Sequence, residues 1–249
     1  MSFLSYLING ISLGSIYAII ALGYTMVYGI ARMLNFAHGD IIMVGGFAIF
    51  TIVSTMGLPP LLGILVAVAV CTVLGVTIER VAYRPLRGAS SLAVLITAIG
   101  VSYLLQNVAL LIFGSNARQF TSVVTLPNLK LADGALTISS VTIVTIVSCI
   151  LIMIGLTSFI NKTKMGQAML AVSEDNGAAT LMGIDVNRTI AITFAIGSAL
   201  AAVAGALLCS TYPSLTPYTG SMPGIKAFVA AVFGGIGSIP GALIGGVLL

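Results

Sequence analysis

Between its charges the chain runs apolar for long stretches, at 1–31, 41–78, 88–117, 134–161, 189–225 and 227–249. A hydrocarbon core about 30 Å thick is crossed by roughly 20 helical residues. The 41–78 run holds two such lengths and breaks at Gly57-Leu58-Pro59-Pro60, while 189–225 breaks at 211–224. The pattern predicts six membrane-spanning helices near 5–30, 41–57, 61–79, 91–113, 138–160 and 189–210, and a broken seventh over 225–249. The apolar/polar alternation of barrel strands is absent. The expected fold class is therefore all-α, a polytopic helical integral membrane protein with broken helices, its residues 1–249 forming a single transmembrane domain.

Composition agrees, with 59% hydrophobic residues, 6% charged residues and a mean hydropathy of +1.18, where a soluble domain is roughly 25% charged. The first apolar segment lacks a basic leader and is too long for a signal peptide, so it reads as retained. Cys71, Cys149 and Cys209 lie inside apolar runs and read as packing residues. Alternating the spans puts Arg32, Arg80, Arg84, Arg87, Lys162, Lys164 and Arg188 on one side, and Arg118, Lys130 and Lys226 on the other. The excess makes the first side cytoplasmic and the N-terminus external. The net charge of +4 is then a property of loops and points to no nucleic acid.

Two places look interrupted. In 28–40, Arg32, Asn35, His38 and Asp40 punctuate an apolar stretch; in 230–246, glycines and Pro240 prevent a smooth helix. Broken helices persist in a membrane where the freed backbone lines a cavity or is buried in protein, and in transporters half-helix ends mark the substrate region. Asn35, His38, Gly39, Asp40, Gly234, Gly235 and Gly237 are thus candidates for a translocation path. For 28–40 an ordinary cytoplasmic turn stays an equal alternative. The stripes Gly10/Gly14/Ala18 and Gly197/Ala201/Gly205 suit close helix packing within the molecule. After Pro240 only nine apolar residues remain, so the natural chain is expected to extend beyond Leu249.

Catalytic chemistry finds little support. His38 is the one histidine, which leaves no metal cluster. Glu174 and Asp175 are adjacent and diverge by about 100° on a helix, poor geometry for acid–base partners. The GGIGS string lacks the Gly-Lys-Ser/Thr of a phosphate-binding loop. No enzyme activity and no cofactor are expected.

The polar segment 161–188 cannot lie in lipid, because it carries Lys162, Lys164, Glu174, Asp175, Asp185 and Arg188. Met165, Met169 and Val172 share one helical face. Ser173 or Asp175 is placed to cap a second short helix, and Gly183 to close it. The segment reads as helix, acidic turn, helix, then re-entry, either resting on the membrane surface or docked into a cytoplasmic partner.

Here a resemblance becomes specific. Residues 164–207, KMGQAMLAVSEDNGAATLMGIDVNRTIAITFAIGSALAAVAGAL, resemble the cytoplasmic loop and following span of the branched-chain amino acid ABC importer permeases of the LivH/LivM type. Residues 9–47 resemble the family's N-terminal segment, nearer LivH than LivM, and residues 79–88 and 225–246 resemble further segments of it. The resemblance implies a second permease subunit, identical or not, two cytoplasmic ABC ATPases, and a periplasmic or lipid-anchored substrate-binding protein. It implies a bacterial inner membrane location and ATP hydrolysis on other chains. It makes the polar segment a coupling helix, with Gly166, Ala171, Glu174, Asp175, Ala179 and Gly183 at the ATPase contact. The expected substrates are leucine, isoleucine and valine. Urea and short-chain amide importers have similar permeases and remain an alternative. An ion-coupled transporter or channel is a further one, but it needs titratable groups at mid-membrane, and the predicted spans show none beyond the Arg32–Asp40 neighbourhood.

Overall fold

The computed structural model describes residues 2–131 and 136–249. Among these, six helices are long and apolar enough to cross a membrane. They are built on α1 (Ser2–Ala31), α2 (His38–Phe50), α3 (Pro60–Ile78), α4 (Ser91–Phe113), α5 (Ser140–Lys162) and α8 (Val186–Thr211). The polar segment forms α6 (Lys164–Glu174) and α7 (Asn176–Leu181), and the C-terminal part α9 (Ser221–Gly234) and α10 (Ile239–Leu248). Thr51 donates its hydroxyl to Phe47 O at 2.8 Å, and α2 loosens there into a π-helical turn, Thr51–Thr55. Pro60 then opens α3 at a position where its missing N–H costs nothing. Two short antiparallel pairs, β1 (Arg118–Gln119) with β4 (Ser214–Leu215) and β2 (Leu129–Leu131) with β3 (Leu136–Ile138), lie in the connections at the end opposite α6 and α7. They are minor exceptions in an all-α fold.

The central element is α1. Its residues from Ile16 to Leu22 are almost wholly buried, whereas α4 and α5 leave most of their apolar side chains facing outward. Small residues set the packing. A β carbon on Gly14 would come within 2.8 Å of Val247 Cα, and one on Gly205 within 2.6 Å of Ile42 O. The small-residue stripes of α1 and α8 thus pack inside the molecule, except at Gly10, which meets nothing within 4 Å.

The broken seventh span departs from expectation. Its two pieces do not continue one another across the bundle; α10 folds back antiparallel on α9. Gly234 lies on Gly241 and Gly245 on Ala230, and α10 climbs α1 to reach Ala18 and Gly14. The glycines explain the reversal, because Gly235 (φ 90°) and Gly237 (φ 98°) hold backbone conformations that side chains rarely adopt. Ser238 caps the returning helix by accepting from Gly241 N at 3.2 Å.

The 28–40 stretch also folds back. Helix α1 ends at Ala31, and the chain reverses at Arg32, the one described non-glycine residue with positive φ, 56°. It then runs non-helically to His38, whose ring packs on Gly23 and stands edge-on to Tyr24 at 4.7 Å. Gly23 lies eight residues before Ala31, so α2 begins roughly 12 Å inside the bundle from the end of α1.

Candidate functional site

Two helices start at this interior level and touch there. A β carbon on Gly39 would sit 2.6 Å from Gly220 O, and one on Gly224 2.9 Å from Gly39 Cα. Glycine at these places is what lets the N-termini of α2 and α9 meet, and no side chain caps either helix. Beside them opens a cavity of about 300 Å³, lined by Tyr24, Phe36, Gly39, Asp40, Ser102, Tyr103, Gln106 and Ser221 among others. Asp40 is 1% exposed. Gln106 Nε2 donates to Asp40 Oδ1 at 2.9 Å and lies 3.2 Å from Ser221 Oγ and 3.3 Å from Ser102 Oγ. Among the described residues the only ion pair is Arg87–Glu79, so Asp40 has no cationic side chain against it. A carboxylate buried in an apolar bundle is costly without one.

Below this cavity the re-entrant stretch forms a wall. Asn35 is buried and accepts from the Tyr83 hydroxyl at 3.0 Å. His38 is buried with Nε2 unpaired by any protein group. A second cavity, about 480 Å³, lies toward the α6–α7 end and is lined by Arg32, Arg87, Asn176, Thr180 and Asn187 among others. A void of only about 10 Å³ lies between the two, walled by Tyr24, Tyr28, Leu34, Asn35, Phe228, Ala231 and Ile236. Tyr28 and Leu34 also line the lower cavity, and Tyr24 the upper one. The void has room for about one water at most. Phe228 closes it, its ring 5.8 Å from Tyr24 and 5.3 Å from Phe36.

The α6–α7 element is well capped. Thr163 Oγ1 accepts from Gly166 N at 3.0 Å, a cap the sequence reading passed over. Asp175 Oδ1 accepts from Gly177 N (2.7 Å) and Ala178 N (3.0 Å), and Asp185 caps α8 through Arg188 N. Gly183 closes α7 with φ 80°. Met169 and Val172 are buried, as their helical spacing predicts. The six candidates divide: Glu174, Asp175 and Gly183 are exposed, Ala171 is half-buried, and Gly166 and Ala179 are buried. Gly166 lies directly on the backbone of Phe159 and Ile160, where a side chain would overlap. It shapes the element from inside. At the tip Leu181 is 90% and Met182 82% exposed.

The path candidates do not converge. Asn35, His38, Gly39 and Asp40 lie in the bundle interior, whereas Gly234, Gly235 and Gly237 build the α9–α10 turn. That turn faces α6 across a cavity: Gly237 and Ser238 line about 340 Å³ together with Met169, Leu170 and Ser173. Arg32 makes a direct link to α6, donating from Nη2 to Ser173 O at 2.9 Å. Sequence reasoning missed Tyr24, Ser102, Gln106, Ser221 and Phe228 as site residues. Ser102 and Gln106 carried a signal, as polar residues four apart on one face of an otherwise apolar run.

The matching family model, described as the branched-chain amino acid transport system / permease component, covers residues 6–249. The high-affinity branched-chain amino acid transport system permease protein BraD of Pseudomonas aeruginosa is 46% identical over 99% of this chain and 84% of its own length. LivH of Escherichia coli K12, of the same description, is 44% identical over 99% and 83%. A probable branched-chain amino acid transport permease protein of Methanocaldococcus jannaschii is 32% identical over 93% and 74%. No solved structure matches the chain. A bundle of membrane-length helices and full-length similarity to such permeases lead to one conclusion: this chain is a multi-pass membrane protein of the branched-chain amino acid transport system permease component family.

Proposed function

We propose that this chain is the translocation subunit of an ATP-driven importer carrying leucine, isoleucine and valine across the bacterial inner membrane. The observation that carries the reading is the pair of cavities in series, parted by an aromatic constriction of which one wall is tied to α6. One wall, Leu34 to Phe36, follows directly on Arg32, which is bonded to Ser173. The other, Phe228, sits on α9, whose terminal turn faces α6 across a cavity of about 340 Å³. The chain acts as one transmembrane domain beside a second permease and hydrolyses nothing itself. Two cytoplasmic ATPases bind and hydrolyse ATP, and an external binding protein delivers substrate. The excess of basic residues puts α6 and α7 on the cytoplasmic side. ATPase closure shifts that element, and the shift parts or joins the walls of the constriction. Such coupling requires different contacts at α6 in the two states.

The test is uptake of radiolabelled leucine by cells lacking their own branched-chain transport and supplied with this chain and its partner subunits. Expected uptake is saturable, competed by isoleucine and valine but not by urea or acetamide, and abolished by ATP depletion. Uptake that survives ATP depletion and fails with the membrane potential overturns the reading.

A further inference from the structure

We infer that the cavity between α2, α4 and α9, which opens past Tyr103 and Ile225, is a binding site for a zwitterionic amino acid, whose α-ammonium is taken by the Asp40 carboxylate. This rests on the importer reading and goes past it by assigning the contacts. The first reason is charge. Asp40 is 1% exposed, lines the cavity, and has no cationic partner among the described residues. Asp40 sits in the first turn of α2, where the helix dipole favours its charge, but no cation faces it; a substrate ammonium would supply one at the moment of occupancy.

The second reason is the arrangement of donors and acceptors. Gln106 directs its amide N–H groups to Asp40, Ser221 and Ser102, fixing the carboxylate from the α4 side. Its two N–H groups are then taken up by the three oxygens. An ammonium, with three donors of its own, finds the carboxylate and two hydroxyl oxygens within one small space. The third reason is polarity along the cavity. Ser221 opens α9, whose first turn no side chain caps, so the positive end of that helix dipole faces the cavity. A substrate α-carboxylate, carried on the same carbon as the ammonium, belongs there, at the Asp40 end of the cavity, since Gln106 Nε2 reaches both Ser221 Oγ (3.2 Å) and Asp40 Oδ1 (2.9 Å). Ile99, Phe36 and Ile225 complete the lining and suit an aliphatic side chain.

The experiment uses a Tyr103→Cys variant, at the exposed rim of the cavity, in the assembled transporter in proteoliposomes and follows its labelling by a small methanethiosulfonate reagent. Cys71, Cys149 and Cys209 are buried and provide a low background. Millimolar leucine is expected to slow labelling about tenfold, the factor for a site about nine-tenths occupied. 4-Methylpentanoate, which keeps the carboxylate and side chain of leucine but lacks the ammonium, is expected not to protect. Adding Asp40→Asn should abolish protection by leucine. Equal protection by the two ligands, no protection by either, or undiminished protection after Asp40→Asn each overturns the assignment. If Asp40→Asn fails to assemble, the two-ligand comparison in Tyr103→Cys alone decides. Wild-type leucine uptake without protection sinks this site alone, whereas protection without ATP-dependent uptake sinks the importer reading and leaves the site.

Discussion

Glu79 is 1% exposed and, among the described residues, its one charged partner is Arg87, which also reaches Asn187 on α8. The pair ties the α3–α4 connection to α8. Removing one member of such a pair leaves an uncompensated buried charge, which costs far more than the pair itself contributes. Arg87→Met is therefore expected to lower stability by about 3 kcal/mol. Arg87→Met with Glu79→Gln should recover more than half of that loss. Melting curves in detergent with a thiol-reactive dye, which reports exposure of the three buried cysteines, measure both. A double variant as unstable as the single one would mean that the pair matters through packing and not through charge.

The helix pair α6–α7 was largely legible in the sequence, because it is a local object. Its caps, its closing glycine and its buried methionine face all follow from residues within one or two turns. Which side chains face outward was not legible, since that depends on α1 and α5 packing beneath it. The exposed tip is Leu181-Met182, a pair no membrane-surface loop needs to show to water, and Glu174 lies exposed on the same element. Leu181→Asp is expected to leave the permease assembled and folded while cutting substrate-stimulated ATPase activity at least about tenfold, the scale of one lost apolar anchor. Unchanged stimulation would remove the tip from the coupling contact. Arg32 permits a sharper test of the internal link, because its φ of 56° is strained for any side chain. Arg32→Gly relieves that strain but deletes the bond to Ser173. It should leave stability equal or slightly raised and lower leucine uptake per ATP hydrolysed. Full coupling in Arg32→Gly would show that the bond to α6 transmits nothing.

At the scale of the molecule, span number and position follow from hydropathy alone, because lipid forces every spanning backbone into helices. The depth at which α2 and α9 begin does not. It is set by contacts such as Gly39 on Gly220 and His38 on Gly23, between segments far apart in sequence and invisible to a window of hydropathy. The same long-range contacts create the constriction, whose closure in this conformation rests on Phe228 against Tyr24 and Phe36. A transporter that alternates access must keep at least one barrier shut, so a barrier opened permanently by mutation turns a pump into a leak. Phe228→Ala should let preloaded leucine run down its gradient through proteoliposomes without ATP, whereas Phe228→Leu, which keeps most of the bulk, should stay tight. Efflux of radiolabelled leucine with and without ATP distinguishes the two. Tight vesicles with Phe228→Ala would place the barrier elsewhere, and the void between the cavities would then be a packing defect with no part in transport.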